Sequence, residues 1–302
     1  MPTRTLSTQT ARIEPREPRT DLPQSLRQFL RTPKGTLLAI FFGLFALAAT
    51  KVGWSATLPH MLLAIAGASL TELVIDRFEG RPLHWASSAI LSGMIVGFVL
   101  EPATPHVITV AVSMVATLGK HLFASNRWHV FNPAALALLI SVPIFGTGQS
   151  WWGALPDLSW PFALLLIGAG AFVVDRINKF PLVLSFLGVL FGLAALLGRI
   201  EPVTASEMFR TPFVQASLFL ALFMVTDPPT APARYREQLA IGALVGGASV
   251  LAEALGAGQT YLLVGVLVGN VALAMRRWLS RRGAVRPVAD RSRSLQVASQ
   301  LR

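Results

Sequence analysis

Two acid–Pro–x–Thr segments, Glu101-Pro102-Ala103-Thr104 and Asp227-Pro228-Pro229-Thr230, each close a long apolar stretch. Proline has no N–H, so it leaves carbonyls of the preceding turn without their helical donor. A carboxylate beside such carbonyls at a membrane boundary suits a cation or a polar ligand; the same residues also serve simply to stop a helix and start a turn. Thr226 adds a hydroxyl next to Asp227. Glu253 sits near the end of a later apolar stretch with no basic residue in its own segment. A charge within a span costs about 2.5–3.5 kcal/mol on insertion scales, so Glu253 faces the bundle interior or reaches the interface. Glu101, Thr104, Thr226, Asp227, Thr230 and Glu253 are therefore the candidate ion path.

Residues 119–136, GKHLFASNRWHVFNPAAL, form the second chemically rich segment. Asn132-Pro133 opens the next helix, with asparagine as N-cap and proline in the first turn. Asn132 reads either as that cap or as part of a ligand pocket. In the pocket reading, Trp128 and Phe131 offer ring faces, Asn126 and Asn132 offer amides, and His129 lies among them. A flavin isoalloxazine ring suits such a mixture. Lys120 and Arg127 suit lipid headgroups. His121 and His129 are eight apart with no carboxylate nearby, and His60, His84 and His106 fall at helix edges, so no metal site is expected. Glu72 and Asp76 share a helix face; either one of them pairs with Arg77 or Arg81, or they form a polar vestibule for an ion or proton. No Walker lysine, GxSxG or HExxH pattern occurs, and no catalytic residue is assigned.

The elements that must position these residues are apolar. Of 302 residues 53% are hydrophobic and 14% charged, against about 25% charged in soluble domains. Cysteine is absent, which excludes disulfides, thiolate clusters and a catalytic thiol. The pattern predicts an all-α polytopic membrane protein with ten transmembrane helices, at about 36–55, 58–76, 86–101, 105–122, 132–146, 158–177, 180–198, 211–226, 238–256 and 258–278. GASLTE and GALVGGAS read as small-residue packing surfaces, and the Trp-rich 146–160 segment as an aromatic belt. The net charge of +11 lies in tails and short loops rather than on a nucleic-acid face. With the N-terminus cytoplasmic, 23 of the 26 Lys and Arg fall on the inner side; only Lys51, Arg199 and Arg210 do not. The domain reading is a disordered basic tail over 1–35, a transmembrane domain over 36–278, and a second basic tail over 279–302. Both termini are then cytoplasmic. Glu101 closes the third helix of a half over 36–146, and Asp227 the third helix of a half over 158–278. Five helices per half is odd, so the halves are inverted repeats, a pattern whose site lies between them.

On these residues the chain resembles the NqrB/RnfD family of membrane subunits, found in sodium-translocating NADH:quinone oxidoreductase and in the Rnf complex. The matching pieces are ILSGMIVGFVLEPATP, GKHLF followed by VFNPAA, FMVTDPPTAP and VGNVALAM, in that order, within about residues 86–278. The resemblance implies ten helices in two inverted halves in a bacterial inner membrane. It implies electron transfer through flavin with coupled Na+ or H+ movement, quinone, and partner membrane subunits. It also implies a non-covalent flavin (riboflavin or FMN) near Phe131 and Asn132. The family often carries a second asparagine where this chain has His129. Its S-G-A-T motif, which carries covalent FMN, is absent, and Thr147 is the only threonine in the corresponding segment, so covalent FMN is not expected.

Three functions remain open: a flavin-binding subunit of an electron-transport complex, a non-redox transporter or channel on the same inverted scaffold, and a membrane scaffold for a biosynthetic cluster. The topology is directly testable in a chain without native cysteine. Single cysteines placed in the Glu101–Thr104 and Asp227–Thr230 segments are expected to react with an impermeant thiol reagent from opposite faces of the membrane. Reaction of both from one face would rule out inverted halves.

Overall fold

A computed structural model describes residues 26–81, 86–125 and 128–284. The expected disordered tail up to residue 25, His84, Asn126, Arg127 and the basic tail beyond 284 lie outside the described residues. The described residues form twelve α-helices. They are α1 (Leu26–Leu30), α2 (Pro33–Val52), α3 (Trp54–Phe78), α4 (Ser87–Val99), α5 (His106–Leu122), α6 (Pro133–Phe145), α7 (Trp160–Arg176), α8 (Phe180–Leu197), α9 (Pro202–Met208), α10 (Thr211–Phe219), α11 (Tyr235–Ala254) and α12 (Tyr261–Ala284). A two-residue hairpin, β1 (Ala124–Ser125) with β2 (Trp128–His129), separates α5 from α6. Each of the ten expected segments contains a helix. The short α1 and α9 are additions to that pattern; α9 starts on Pro202, which presets the first helical turn.

Four helices are long and apolar enough to cross a bilayer: Pro33–Val52, Trp54–Phe78, Phe180–Leu197 and Gly258–Ser280. The others are shorter or more polar. α4 and α6 have 13 residues each, about 20 Å at 1.5 Å per residue, which is less than the hydrocarbon thickness. Each runs on into irregular backbone, α4 at the acid–Pro segment and α6 at residues 146–159. Such backbone is tolerated at membrane depth only where protein covers it. The chain is an all-helical, multi-pass membrane protein.

Local sequence explains most ends. Thr32 accepts from Gly35 N–H at 3.1 Å and Pro33 follows it, so α2 starts there. Gly53, at φ +104, ends α2 and begins α3 in one residue, a conformation open to glycine and little else. α10 continues into a π-turn over Leu220–Met224, closed by Val225 N–H to the Leu220 carbonyl at 2.9 Å.

α3 packs against α4 and α5, and α5 against α6; α8 packs against α11, and α11 against α12. α12 meets α6, while α2 touches α3, α4 and α7. Where these elements converge, the Phe41 ring lies 5.5 Å from Phe98, 6.0 Å from Phe219 and 5.2 Å from Phe223. The Trp-rich segment joins this core instead of forming a belt. Trp151 and Trp152 are buried, and the Trp152 indole donates to the Gly97 carbonyl at 2.6 Å. Trp160 alone of the three stays exposed. Side-chain fit draws Trp151 and Trp152 inward: the Phe98 ring leaves room for nothing larger than Gly153.

The small-residue surfaces do pack as expected. A Cβ on Gly242 would lie 2.5 Å from the Leu182 carbonyl, and one on Gly246 2.8 Å from that of Phe186. In lipid such close approach is itself the association force between helices. Replacing Gly246 by Val should therefore force α8 and α11 apart and cost about 1–3 kcal/mol. A lowered thermal midpoint in detergent, with Gly247→Val much milder because only a distant Leu193 methyl faces it, is the expected pattern.

Candidate functional site

Pro228 is the residue whose N–H would have bonded the Met224 carbonyl had the helix continued. That carbonyl accepts from Asn132 Nδ2 at 3.1 Å instead, with Asp227 N–H at a longer 3.4 Å. Asn132 Oδ1 accepts from Ala135 N–H at 3.0 Å, which caps α6. The Asn132 backbone N–H donates to Asn270 Oδ1 on α12 at 2.7 Å. One buried asparagine thus ties the start of α6, the end of the π-turn and the middle of α12 together. Thr226 donates to the Leu222 carbonyl at 2.8 Å, and Thr230 to Asp227 Oδ2 at 3.2 Å. Asp227 is held in a tight turn by Thr230 and Ala231 N–H groups on its carbonyl.

These two segments wall a cavity of about 530 Å³, within the range of small-molecule sites. Asn132, His129, Thr226 and Asp227 line it, with Lys34, Glu72, Asp76, Lys120, Ser87 and Ser88. Its apolar wall includes Leu91, Ile95, Leu222 and Phe223. Glu72 reaches across to α5: Lys120 Nζ is 2.6 Å from Oε1 and His121 Nε2 is 2.9 Å from Oε2. Lys120 therefore serves an ion pair inside the protein, in place of the headgroup contact expected for it. Asp76 meets Arg81 at 3.8 Å, as one of the two expected pairings. His129, on β2, has Nδ1 3.1 Å from the Lys120 carbonyl. Burial, and then the Lys120 charge, hold this imidazole below its usual range, so it presents a neutral ring to the cavity.

The other expected pocket residues point elsewhere. Phe131 packs edge-on to Phe123 at 5.3 Å, and the Trp128 ring carries the Arg277 guanidinium at 4.1 Å. Neither lines the main cavity; Phe223 supplies its aromatic face instead. Asn126 lies outside the described residues.

The expected ion-path residues divide between two places. Thr226 and Asp227 line the main cavity, and Thr230 holds Asp227. Glu101 lines a separate polar cavity of about 350 Å³ with Thr147, Gln149, Gln259 and Thr260. The acid–Pro turn there is held by main-chain bonds: Glu101 N–H donates to the Gly148 carbonyl at 3.2 Å, and Ser150 N–H to that of Val99 at 2.9 Å. Thr104 is buried in that turn without lining the cavity. Glu253 lies apart on α11, half-buried, one carboxylate oxygen enclosed without a hydrogen-bond partner. Among the described residues no three of His, Asp and Glu converge as metal ligands would.

Lys34, Lys120, Ser87 and Ser88 carry no local signal that marks them as cavity residues. Nor does Asn270, although it stands in the VGNVALAM piece. Each reaches the cavity or its rim through helix packing that no local pattern records.

The profile of the NQR2, RnfD, RnfE family matches residues 25–159 and 158–282. Among curated proteins the chain is similar to an ion-translocating oxidoreductase complex subunit of Aliivibrio salmonicida, 24% identical, with 74% of this chain and 85% of that protein covered. The protein of the same description from Aeromonas hydrophila is 24% identical over 76% of this chain and 87% of its own length. That from Stutzerimonas stutzeri is 30% identical over 60% of this chain and 70% of its own length. With the family's profile matching the chain from residue 25 to residue 282, the chain belongs to the NQR2, RnfD, RnfE family.

Proposed function

We propose that this protein is a membrane subunit of an ion-translocating, flavin-dependent electron-transport complex, and that the Asn132–Asp227 cavity holds a non-covalent flavin. The observation that carries this reading is the meeting of the FNPA and TDP segments on one cavity of suitable size. The donor set fits an isoalloxazine ring. Its pyrimidine edge presents two carbonyls flanking an N–H; Lys34, Lys120, Ser87 and Ser88 can donate, and Asp227 can accept. Leu91, Ile95, Leu222 and Phe223 suit the apolar benzenoid side. Asn132 shapes the wall, because its carbonyl and one amide hydrogen are already engaged with the backbone. Bound there, a flavin would supply electron transfer. The chain itself would orient the ring, shield it from water and set its electrostatics through Lys120 and Asp227. Covalent FMN is not part of the proposal: the Thr147 hydroxyl is buried and 2.6 Å from Ser141 Oγ.

The full topology belongs to the same reading: ten transmembrane helices in two inverted halves, 36–146 and 158–278, with both termini cytoplasmic in a bacterial inner membrane. That each acid–Pro turn lines a cavity of its own supports it. Cations, Na+ or H+, would use Asp227, Thr226 and Thr230 at the inner cavity and Glu101 at the outer one, with Thr104 and Glu253 beside the route. Quinone and further membrane subunits are the expected partners, by analogy with relatives whose names describe a complex. A non-redox transporter would keep the same two cavities, and colourless protein that moves a solute would favour it.

An absorption spectrum of the detergent-solubilised chain tests the flavin. A yellow chromophore released into the supernatant on acid precipitation is expected; flavin left in the pellet would mean a covalent bond, and no chromophore would remove the proposal. Asp227→Asn should lower flavin occupancy with little change in thermal midpoint, whereas equal loss of both would make Asp227 a folding residue alone. Asn132→Ala should do the reverse, losing about 1 kcal/mol of capping and about 1–3 kcal/mol for the poorly satisfied Met224 carbonyl.

A further inference from the structure

Two distant parts of the chain wall the cavity at Glu101. Glu101, Thr147, Gln149 and Ser150 line it from the acid–Pro turn and the segment after α6; Gln259 and Thr260 line it from the turn that opens α12. The Trp151 indole ties the two parts together, donating to the Gln259 carbonyl at 3.3 Å. Glu101 has its seat because residue 148 is glycine: a Cβ there would lie 2.7 Å from Glu101 Oε2. Among the described residues no lysine, arginine or histidine lines this cavity.

The hydrogens of its polar side chains are largely spent elsewhere. Ser141 Oγ gives its hydrogen to the Leu138 carbonyl at 2.7 Å. In the 2.6 Å contact between Ser141 and Thr147 the threonine is therefore the donor, and Thr147 Oγ1 keeps only lone pairs. Gln149 Nε2 donates to the same Leu138 carbonyl at 3.1 Å; a carbonyl can only accept, so the amide is fixed and its oxygen is left over. Thr260 Oγ1 donates to the Ala257 carbonyl at 2.7 Å. Gln149 is 5% exposed, and neither its Oε1 nor the enclosed Ser150 Oγ has a hydrogen-bond partner among the described residues. Leaving buried acceptors in that state is unfavourable.

The ligand that such a wall suits is a cation. A neutral polar molecule needs donors as well as acceptors, and this cavity offers a carboxylate with neutral oxygens around it. Oxygen ligands of this kind are those of hard cations. One carboxylate balances one positive charge rather than two. A volume of about 350 Å³ leaves room for the ion to keep water on its open side. Glu101 and Gln259 are exposed while Thr147 and Gln149 are buried, so an ion meets the charge first and the neutral oxygens after it.

We propose that the Glu101 cavity binds a monovalent alkali cation through the Glu101 carboxylate, Gln149 Oε1 and the Thr147 and Ser150 hydroxyl oxygens. The assignment deepens the cation route proposed above; it rests on that reading for where the ion goes, and on the cavity alone for its binding.

The test uses the purified full-length chain in detergent, with ionic strength held by choline chloride. Wild type and the Asp227→Asn chain, which lacks the carboxylate of the other cavity, should both bind radioactive sodium or rubidium ion saturably. Adding Glu101→Gln to Asp227→Asn should abolish that binding. Adding Gly148→Ala instead keeps the charge and puts a methyl group where the carboxylate sits, so it should weaken binding several-fold at an unchanged thermal midpoint. No saturable binding of either ion to the Asp227→Asn chain, binding untouched by either added substitution, or displacement by calcium at lower concentration than by sodium would overturn the proposal. Saturable binding without uptake of the ion by proteoliposomes would support the site and remove the transport reading, so the two fail separately.

Discussion

A main-chain carbonyl deprived of its helical donor must find another within the protein, because lipid offers none. That constraint organises the centre of this molecule. Proline at 228 frees the Met224 carbonyl, and Asn132 answers it from a different part of the chain. Asn132 is available for this only because it stands at the start of α6, where its own N–H is also unclaimed by the helix and is taken by Asn270. Three parts of the chain thus satisfy one another, and the space left beside them is the main cavity.

The first acid–Pro turn solves the same problem with backbone alone. Ser150 and Trp151 N–H groups both turn to the Val99 carbonyl, and Gly148 accepts from Glu101. This difference in means has a difference in result. The amide-mediated junction leaves a large, partly apolar space, whereas the backbone-mediated junction closes over a smaller polar one. Between the two runs a continuous set of rings: Phe223 on the main cavity wall packs on Phe219 at 5.2 Å, and Phe219 on Trp151 at 6.4 Å, next to Ser150 on the other wall.

The helices are legible in the sequence because apolar runs and prolines announce them directly. So are the two turns, since an acid followed by proline after an apolar run has few other uses. The asparagine cap is legible as a cap, and it is one; its partners Met224 and Asn270 are not, because 92 and 138 residues of chain separate them from it. The partners of Glu72 are hidden for a similar reason. Arg77 and Arg81 are its neighbours in sequence, yet the parallel packing of α3 and α5 brings Lys120 and His121 to it. Trp128 and Phe131 suggest rings facing a ligand because they flank Asn132 and His129. The hairpin that includes Trp128 turns it toward α12, where Arg277 covers it. The tryptophans at 151 and 152 likewise have the composition of an interfacial belt, and only the close seat of the Phe98 ring on Gly153 takes them inside.

α12 touches both rims of the main cavity. Asn270 holds the Asn132 rim, and Arg277 donates to the Pro229 and Ala231 carbonyls of the proline loop at 3.4 and 3.2 Å while its guanidinium lies on Trp128. About two helical turns of one rigid rod separate the two grips. The width of the opening is therefore set by where a single rod sits along its own axis, not by the pliancy of either loop. Anything that presses on the cationic end of that rod acts on both rims at once, as a hand on a lever moves both jaws of a clamp.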